Sequence, residues 1–113
     1  MDIVEWNKNQ TTMAKKQFNW VRQPQEEEGT YRFDGRFVIT QGVDGLLSKI
    51  EIHAIYFYVR ALAEQYNGLD YLQVFVHGKT GQKLFFIDQL NDEMKKEHPP
   101  EHNYCTLMLA EEY

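Results

Sequence analysis

The residues around Ser48 give the strongest structural signal in this chain. Ser48 and Glu51 have the S-x-x-E spacing of a capping box, in which each side chain accepts a hydrogen bond from the other residue's backbone N–H. Leu47 and Ile52 occupy the two positions of a hydrophobic staple, which fixes the direction in which a chain enters a helix. The sequence therefore predicts a helix from about Lys49 to Tyr66.

Apolar residues recur along this helix at spacings of three and four, which is typical of a helix with one buried side. The predicted core stripe is Ile52, Ile55, Val59, Leu62 and Tyr66, and Ala54, Phe57 and Ala61 are expected to widen it. At about 1.5 Å per residue the helix spans roughly 27 Å, which is long enough to cross a small sheet.

The segment before the helix alternates between apolar and polar residues. Tyr31–Ile39 has the period of two that a half-buried strand requires, and Asp34 followed by Gly35 favours a tight hairpin turn within it. Gln41–Gly45 carries two glycines and predicts a turn.

Three more strand-like segments follow the helix. Leu69–Val76 and Leu84–Ile87 flank a glycine-bounded turn and predict a hairpin, and Tyr104–Leu109 predicts a last strand. Asp88–Glu97 predicts a short helix between them. The predicted fold class is α+β, with one long helix packed on an antiparallel sheet of about four to five strands.

Length and composition limit the classes of protein. A chain of 113 residues with 42% hydrophobic residues is expected to form one domain, here 30–113, after a polar arm and loop at 1–29. The net charge of −5 argues against nonspecific nucleic-acid binding. No apolar run reaches the roughly 20 residues that cross a bilayer, and 1–10 lacks the apolar stretch of a secretory signal. A single cysteine suggests a reducing compartment, so we expect a cytoplasmic protein.

The charge is unevenly distributed along the chain. Through Arg22, four basic and two acidic residues sum to +2, and from Gln23 onward eight basic and fifteen acidic residues sum to −7. The folded body is therefore expected to be acidic, which suits contact with a basic protein surface better than contact with nucleic acid.

Metal ligation has weak candidates near the end of the chain. His98–His102 has the H-x-x-E-H spacing of inverted zinc peptidases, but two prolines fill the spacer and are incompatible with the helix that such a site needs. A looser site could use His98, His102 and Cys105, although Cys105 lies in an apolar strand. We therefore predict no catalytic residue, no metal and no cofactor.

Aromatic residues favour a protein-binding surface. Tyr56, Phe57 and Tyr58 are consecutive, and because successive helical residues are about 100° apart, they cannot all face one core. Tyrosines that point outward are favoured anchors at interfaces. The acidic loop residues are a second candidate for contact with a basic partner. The predicted partner-binding residues are Tyr56, Tyr58, Tyr71, Phe75, Glu26, Glu27 and Glu28.

The last residues of the chain carry a resemblance. Cys105–Tyr113 resembles the closing segment of an uncharacterised bacterial family, Leu-Thr-Ile-Met-Leu-Ala-Glu-Glu-Tyr. Thr40–Leu46 and Phe85–Asp88 resemble two more of its segments, so the likeness extends roughly over 37–113. The Asn-Asp-Pro and Glu-His-Asp elements of that family are absent, and Asn67–Asp70 stands in their place. The family is found on plasmids and phages and has no assigned reaction, so the resemblance implies a setting and no mechanism.

Three functions are compatible with these observations. The first is a small non-enzymatic module from a phage or mobile element that binds, and thereby inhibits, a host protein such as a defence nuclease or CRISPR complex. The second is a small-ligand or nucleotide binder with a pocket between helix and sheet lined by Tyr56, Tyr58 and Tyr71. The third is a metal-dependent enzyme using the ligands named above. An exposed sheet edge would also permit a homodimer through edge pairing.

Overall fold

The computed structural model describes residues 19–113 of the chain. The strands are β1 (Trp20–Arg22), β2 (Arg36–Ile39), β3 (Leu72–His77), β4 (Lys83–Asp88) and β5 (Tyr104–Leu109). The helices are α1 (Gln41–Leu46), α2 (Lys49–Gln65) and α3 (Asp92–Lys95), with short 3₁₀ turns at Pro100–His102 and Ala110–Glu112. The predicted α+β class, with one long helix on a sheet, is confirmed.

The five strands form one mixed sheet in the order β1-β3-β4-β5-β2. Three neighbouring pairs are antiparallel, but β2 pairs with β5 in parallel, with Phe37 opposite Cys105. The prediction of a purely antiparallel sheet was therefore wrong at this edge. Through these pairings β2 and β3 point the same way, and α2 supplies the long crossover that two parallel strands require.

The predicted helix is confirmed at its start and nearly at its end. Ser48 Oγ accepts from Glu51 N at 3.1 Å, and Glu51 Oε1 accepts from Ser48 N at 2.9 Å, which completes the capping box. The helix ends at Gln65, and the chain then turns through Asn67, whose φ of 57° lies in the left-handed region.

The core lies between α2 and one face of the sheet. The helix contributes Ile52, Ile55, Val59 and Ala63, and the sheet contributes Trp20, Phe75, Leu84, Phe86, Cys105 and Leu107. Leu62 is partly buried against this cluster. Phe57 and Tyr66 were expected in the core, but both are mostly exposed. Phe57 lies on the opposite side of the helix, and Tyr66 follows the last helical residue, Gln65.

The opposite face of the sheet is also apolar. Alternation along each strand places the following half-buried or exposed side chains there: Val21, Val38, Leu72, Val74, Val76, Phe85, Ile87, Thr106 and Met108. The helix leaves this open face uncovered, and the ring of Tyr113 packs against Phe85 there.

Two predictions before the long helix were wrong. The expected hairpin at Asp34 is absent from the described residues: Tyr31 forms an isolated bridge with Leu69, and only β2 follows. The expected turn at 41–45 is instead helix α1, which is capped by Thr40. The Thr40 hydroxyl accepts from Val43 N at 3.3 Å and also donates to Glu112 Oε1 at 2.6 Å. This contact from the end of the chain stabilises a helix that its two glycines disfavour.

The loop before Thr30 is anchored by buried polar groups. Gln73 is buried on β3, accepts from Arg22 Nε at 2.7 Å and donates to Gln25 Oε1 at 2.9 Å. The sheet thus begins at Trp20, inside the 1–29 segment that the sequence assigned to an arm and loop.

The prediction about a secretory signal concerns 1–10, which lie outside the described residues. Among the helices of residues 19–113, none is long and apolar enough to cross a membrane.

Ser48→Ala should destabilise the protein by about 1 kcal/mol, because the Glu51 N–H loses its acceptor at the start of α2. Urea denaturation followed by circular dichroism measures the change. Thr30→Ala, at an exposed loop position, is the matched control and should change the free energy of unfolding by less than about 0.5 kcal/mol. Equal losses in the two variants would contradict a specific role for the cap.

Candidate protein-binding surface

The side of α2 that faces away from the sheet carries an apolar stripe. Ile50, Ala54, Phe57 and Ala61 fall within an arc of about 60° at 100° per residue, directly opposite the buried residues. Ile50 is 82% exposed and Phe57 is 63% exposed. These four residues are called the outer stripe below. Large apolar side chains at this exposure lie where a typical surface helix is polar.

Tyr58 lies beside the outer stripe and extends it toward the sheet. Its side chain is 48% exposed, and its ring meets Phe75 edge-on at 6.4 Å between centroids. His53 is exposed on the other flank, with its ring 6.3 Å from that of Phe57. The outer stripe is therefore flanked by rings that can pack against a partner and also donate hydrogen bonds.

Two of the predicted partner-binding residues belong to the core side. Tyr56 is half-buried and stacks on Phe37 with 4.5 Å between ring centroids, and Phe75 is only 1% exposed. Neither the burial of Phe75 nor the stacking of Tyr56 leaves a ring free for a partner. The buried ring of Phe75 instead packs against the ring of Tyr58 from the side of the sheet.

The other predicted residues lie at separate places on the surface. Tyr71 is 42% exposed and its ring is 6.1 Å from that of Tyr31. Glu26, Glu27 and Glu28 are exposed on the loop that Gln25 anchors. Glu28 also lines a cavity of about 390 Å³ together with Arg22 and Tyr66. The structure therefore does not bring all seven residues into one surface.

The metal candidates are not brought together. His98 and His102 are exposed with ring centroids 5.9 Å apart, whereas Cys105 is fully buried. The Cys105 thiol faces the backbone carbonyls of Phe33 and Arg36, at 4.0 and 3.7 Å from Sγ. Within residues 19–113 no group of three or more metal-ligating side chains is arranged to hold an ion.

A buried carboxyl group lies beneath the loop before β2. Asp88 is 1% exposed, and its Oδ2 accepts from Phe33 N at 2.9 Å. Phe33 has a φ of 54°, which is strained for a residue with a side chain, so this hydrogen bond holds an unfavourable turn. Burial raises the pKa of Asp88 to about 6, even though the Phe33 N–H and the ammonium group of Lys95 favour its ionised form.

The buried ionisable groups do not form an accessible reactive centre. Burial, with the nearby charge of Asp88, raises the pKa of Cys105 to about 12, so the nucleophilic thiolate is scarce at neutral pH. Asp88 and Cys105 are both enclosed by the core and do not reach the surface. Their arrangement supports the fold, and in this conformation neither group is accessible to a substrate.

Two surface cavities lie away from the tyrosines that the ligand-binding hypothesis named. The first is the one lined by Arg22 and Tyr66, and the second lies among Leu90, Lys95 and Asn103. Neither is lined by Tyr56, Tyr58 or Tyr71, because those rings pack on other residues or face solvent. The predicted pocket between helix and sheet is filled by core side chains.

Comparisons with protein-family models, with curated proteins and with solved structures find no match to this chain. The resemblance of the final segment to a bacterial family therefore stays a prediction.

Sequence reasoning missed the two most exposed large apolar side chains on α2. Ile50 lay outside the predicted stripe, and Phe57 was assigned to the core. A signal for both was present, because the spacing 50, 54, 57 and 61 repeats the four-three-four pattern of a packing face. The core stripe on the same helix has the same spacing, so the sequence alone did not separate the two stripes.

Proposed function

We propose that this protein is a non-enzymatic protein-binding module whose contact surface is the outer stripe of α2 with Tyr58 beside it. The observation that carries the proposal is the exposure of Ile50 and Phe57, at 82% and 63%, on the side opposite the core. Binding is the use that this geometry supports best, because an apolar stripe on a helix gains free energy when a partner removes it from water.

The energetics favour a few anchor residues. Covering a phenylalanine or isoleucine side chain contributes roughly 1.5–3 kcal/mol each relative to leaving it in water. Ile50, Phe57 and Tyr58 are the exposed large apolar side chains on this helix. They are therefore the expected hot spots, and the small Ala54 and Ala61 leave room for side chains of a partner.

The identity of the partner remains a prediction from the sequence. A host protein of a phage or mobile element, such as a defence nuclease or CRISPR complex, fits the acidic body and the resemblance of the final segment. The exposed Glu26, Glu27 and Glu28 would then meet a basic region of that partner and increase the association rate.

Phe57→Glu should abolish capture of a protein partner from host lysate at physiological salt, because it places a charge in an interface that must lose water. The immobilised full chain is compared with the variant by mass spectrometry of the bound proteins. The fold should survive, since Phe57 is mostly exposed, and circular dichroism verifies this.

Val21→Glu is the matched control, because it adds the same charge to a 56% exposed apolar residue on the sheet. It should leave capture unchanged. Loss of capture in this variant alone would show that the partner binds the open face of the sheet and not the outer stripe. Equal capture by both variants and the parent would refute the outer stripe as the contact with a host protein.

A further inference from the structure

The outer stripe alternates between large and small side chains. In chain order it reads Ile50, Ala54, Phe57 and Ala61, so each bulky residue is followed by an alanine one helical turn on. Facing surfaces interdigitate best when large residues lie opposite small ones. The stripe therefore has two protruding side chains and two small residues that leave space for side chains of a facing helix.

This order is self-complementary when two copies meet in opposite directions. With the two-fold axis midway between Ala54 and Phe57, Phe57 of one copy faces Ala54 of the other. Ile50 likewise faces Ala61 of the second copy. A two-fold interface needs this reciprocity, because the same surface must serve both partners. A parallel arrangement would instead place Phe57 against Phe57 and leave the alanines facing each other.

Charges on one flank of the stripe agree with the same arrangement. Lys49 and Glu64 are both exposed near opposite ends of α2 on the same flank. In the antiparallel pair, Lys49 of one copy lies about 3 Å along the axis from the level of Glu64 of the other, which permits two symmetric ion pairs. Glu64 already contacts Arg60 at 3.3 Å within its own chain, so it would be shared between two cations. In a parallel two-fold pair this flank of one copy lies on the opposite side of the contact from the same flank of the other copy, so these ion pairs cannot form.

We propose that the occupant of the outer stripe is a second copy of this chain, which forms an antiparallel two-fold dimer through α2. This inference rests on the proposed function in taking the outer stripe as a binding surface. It assigns that surface to a second copy in place of a host protein, because one stripe cannot hold both at once. The contact differs from the edge pairing considered from the sequence, because it leaves β1 and β2 free. Helices packed this way lie about 8–10 Å apart.

Sedimentation velocity of the full chain from about 1 to about 300 µM tests the association, since a contact between two helices near 25 Å long lies at the small end of stable interfaces. We expect a dimer that dissociates on dilution. Phe57→Glu should weaken it at least tenfold, by roughly the cost of an unpaired charge in the contact. Val21→Glu should leave it unchanged.

Cross-linking tests the direction. Ile50→Cys protein mixed with Ala61→Cys protein should form a disulfide-linked pair under mild oxidation. Each variant alone should not, because its two cysteines would lie about 16 Å apart along the axis. Cys105 is buried and its pKa is raised to about 12, so the parent chain is the unreactive control.

The outcomes separate this inference from the proposed function. A monomer across the whole concentration range refutes the dimer, and the lysate experiment with Phe57→Glu then decides whether the outer stripe serves a different protein. Self-linking of Ile50→Cys without linking in the mixture refutes the antiparallel arrangement. A dimer that Val21→Glu disrupts and Phe57→Glu does not would refute both the inference and the surface on which it rests.

Discussion

Replacing Phe86 with alanine should destabilise the domain by about 3–5 kcal/mol, a loss typical of a large aromatic side chain removed from a packed core. Phe86 is fully buried, and its ring lies 4.8 Å from that of Phe33 and 5.5 Å from that of Phe37 between centroids. It thereby joins β4 to the strained loop and to β2 at once. A domain of this size is stable by only about 5–15 kcal/mol, so much of the protein should unfold at moderate urea concentration.

The neighbouring residue provides the control. Phe85 lies on the open face of the same strand and packs against Tyr113 with 5.6 Å between ring centroids. Phe85→Ala removes the same number of atoms from a half-buried position, so its cost should be less than half that of Phe86→Ala. Urea denaturation of both variants measures the difference. Equal losses would show that the open face is packed as tightly as the core.

Protonation of Asp88 should increase the free energy of unfolding by about 2 kcal/mol when the pH is lowered from 7 to 4. Asp88→Asn should remove this increase. The pKa of Asp88 is raised from 3.8 to about 6, chiefly by burial. The folded state therefore binds a proton more tightly than the unfolded chain does. This contribution is fully present below about pH 3.8 and is lost as the pH rises through about 6. Asparagine keeps an acceptor for the Phe33 N–H and cannot ionise.

Other carboxyl groups lower the stability of the protein as the pH falls, so the effect of Asp88 has to be measured by comparing the parent chain with Asp88→Asn. Hydrogen bonds from Arg32 lower the pKa of Asp92, and that from Thr40 lowers the pKa of Glu112, so both contributions are lost as the pH falls. The groups that influence Asp88 itself are Lys95 and Asp34. Thermal unfolding of both proteins from pH 4 to 8 isolates Asp88 as the difference. Parallel curves would contradict its raised pKa.

Local signals in the sequence were sufficient for the helix and the hairpin. The capping box at Ser48 and Glu51 places the start of α2, and the glycine-bounded turn after His77 separates β3 from β4. Both are determined by residues within a few positions of one another. Elements of this kind can be recognised from one sequence because the interactions that define them are local.

The errors came from interactions between distant residues. The parallel pairing of Phe37 with Cys105 joins segments far apart in the chain, and no local pattern encodes its direction. The cap of helix α1, Thr40, is held by a hydrogen bond to Glu112 from the other end of the domain. A glycine-rich segment without that contact favours a turn, which is what the sequence predicted.

The candidate surface was only partly predictable, for a related reason. The consecutive aromatic residues correctly indicated that at least one of the three rings points away from the core, and Phe57 and Tyr58 both do so. They could not indicate which stripe of an all-round apolar helix faces the sheet. That choice depends on how β2 and β3 direct the crossover, so Phe57 was assigned to the wrong side.

The position of β5 within the sheet has a consequence for synthesis of the protein. β5 is the last strand in the chain, yet it lies between β4 and β2 and is the neighbour through which β2 joins the sheet. While the chain emerges from the ribosome, β2 has no strand to pair with until residues 104–109 have left the exit tunnel. Until then the edges of β2 and β4 that pair with β5 have no partner, and closure of the sheet is a late event in folding. Pairing between strands so far apart in the chain is slow, and the unpaired edges make the incomplete sheet prone to aggregation until β5 is in place.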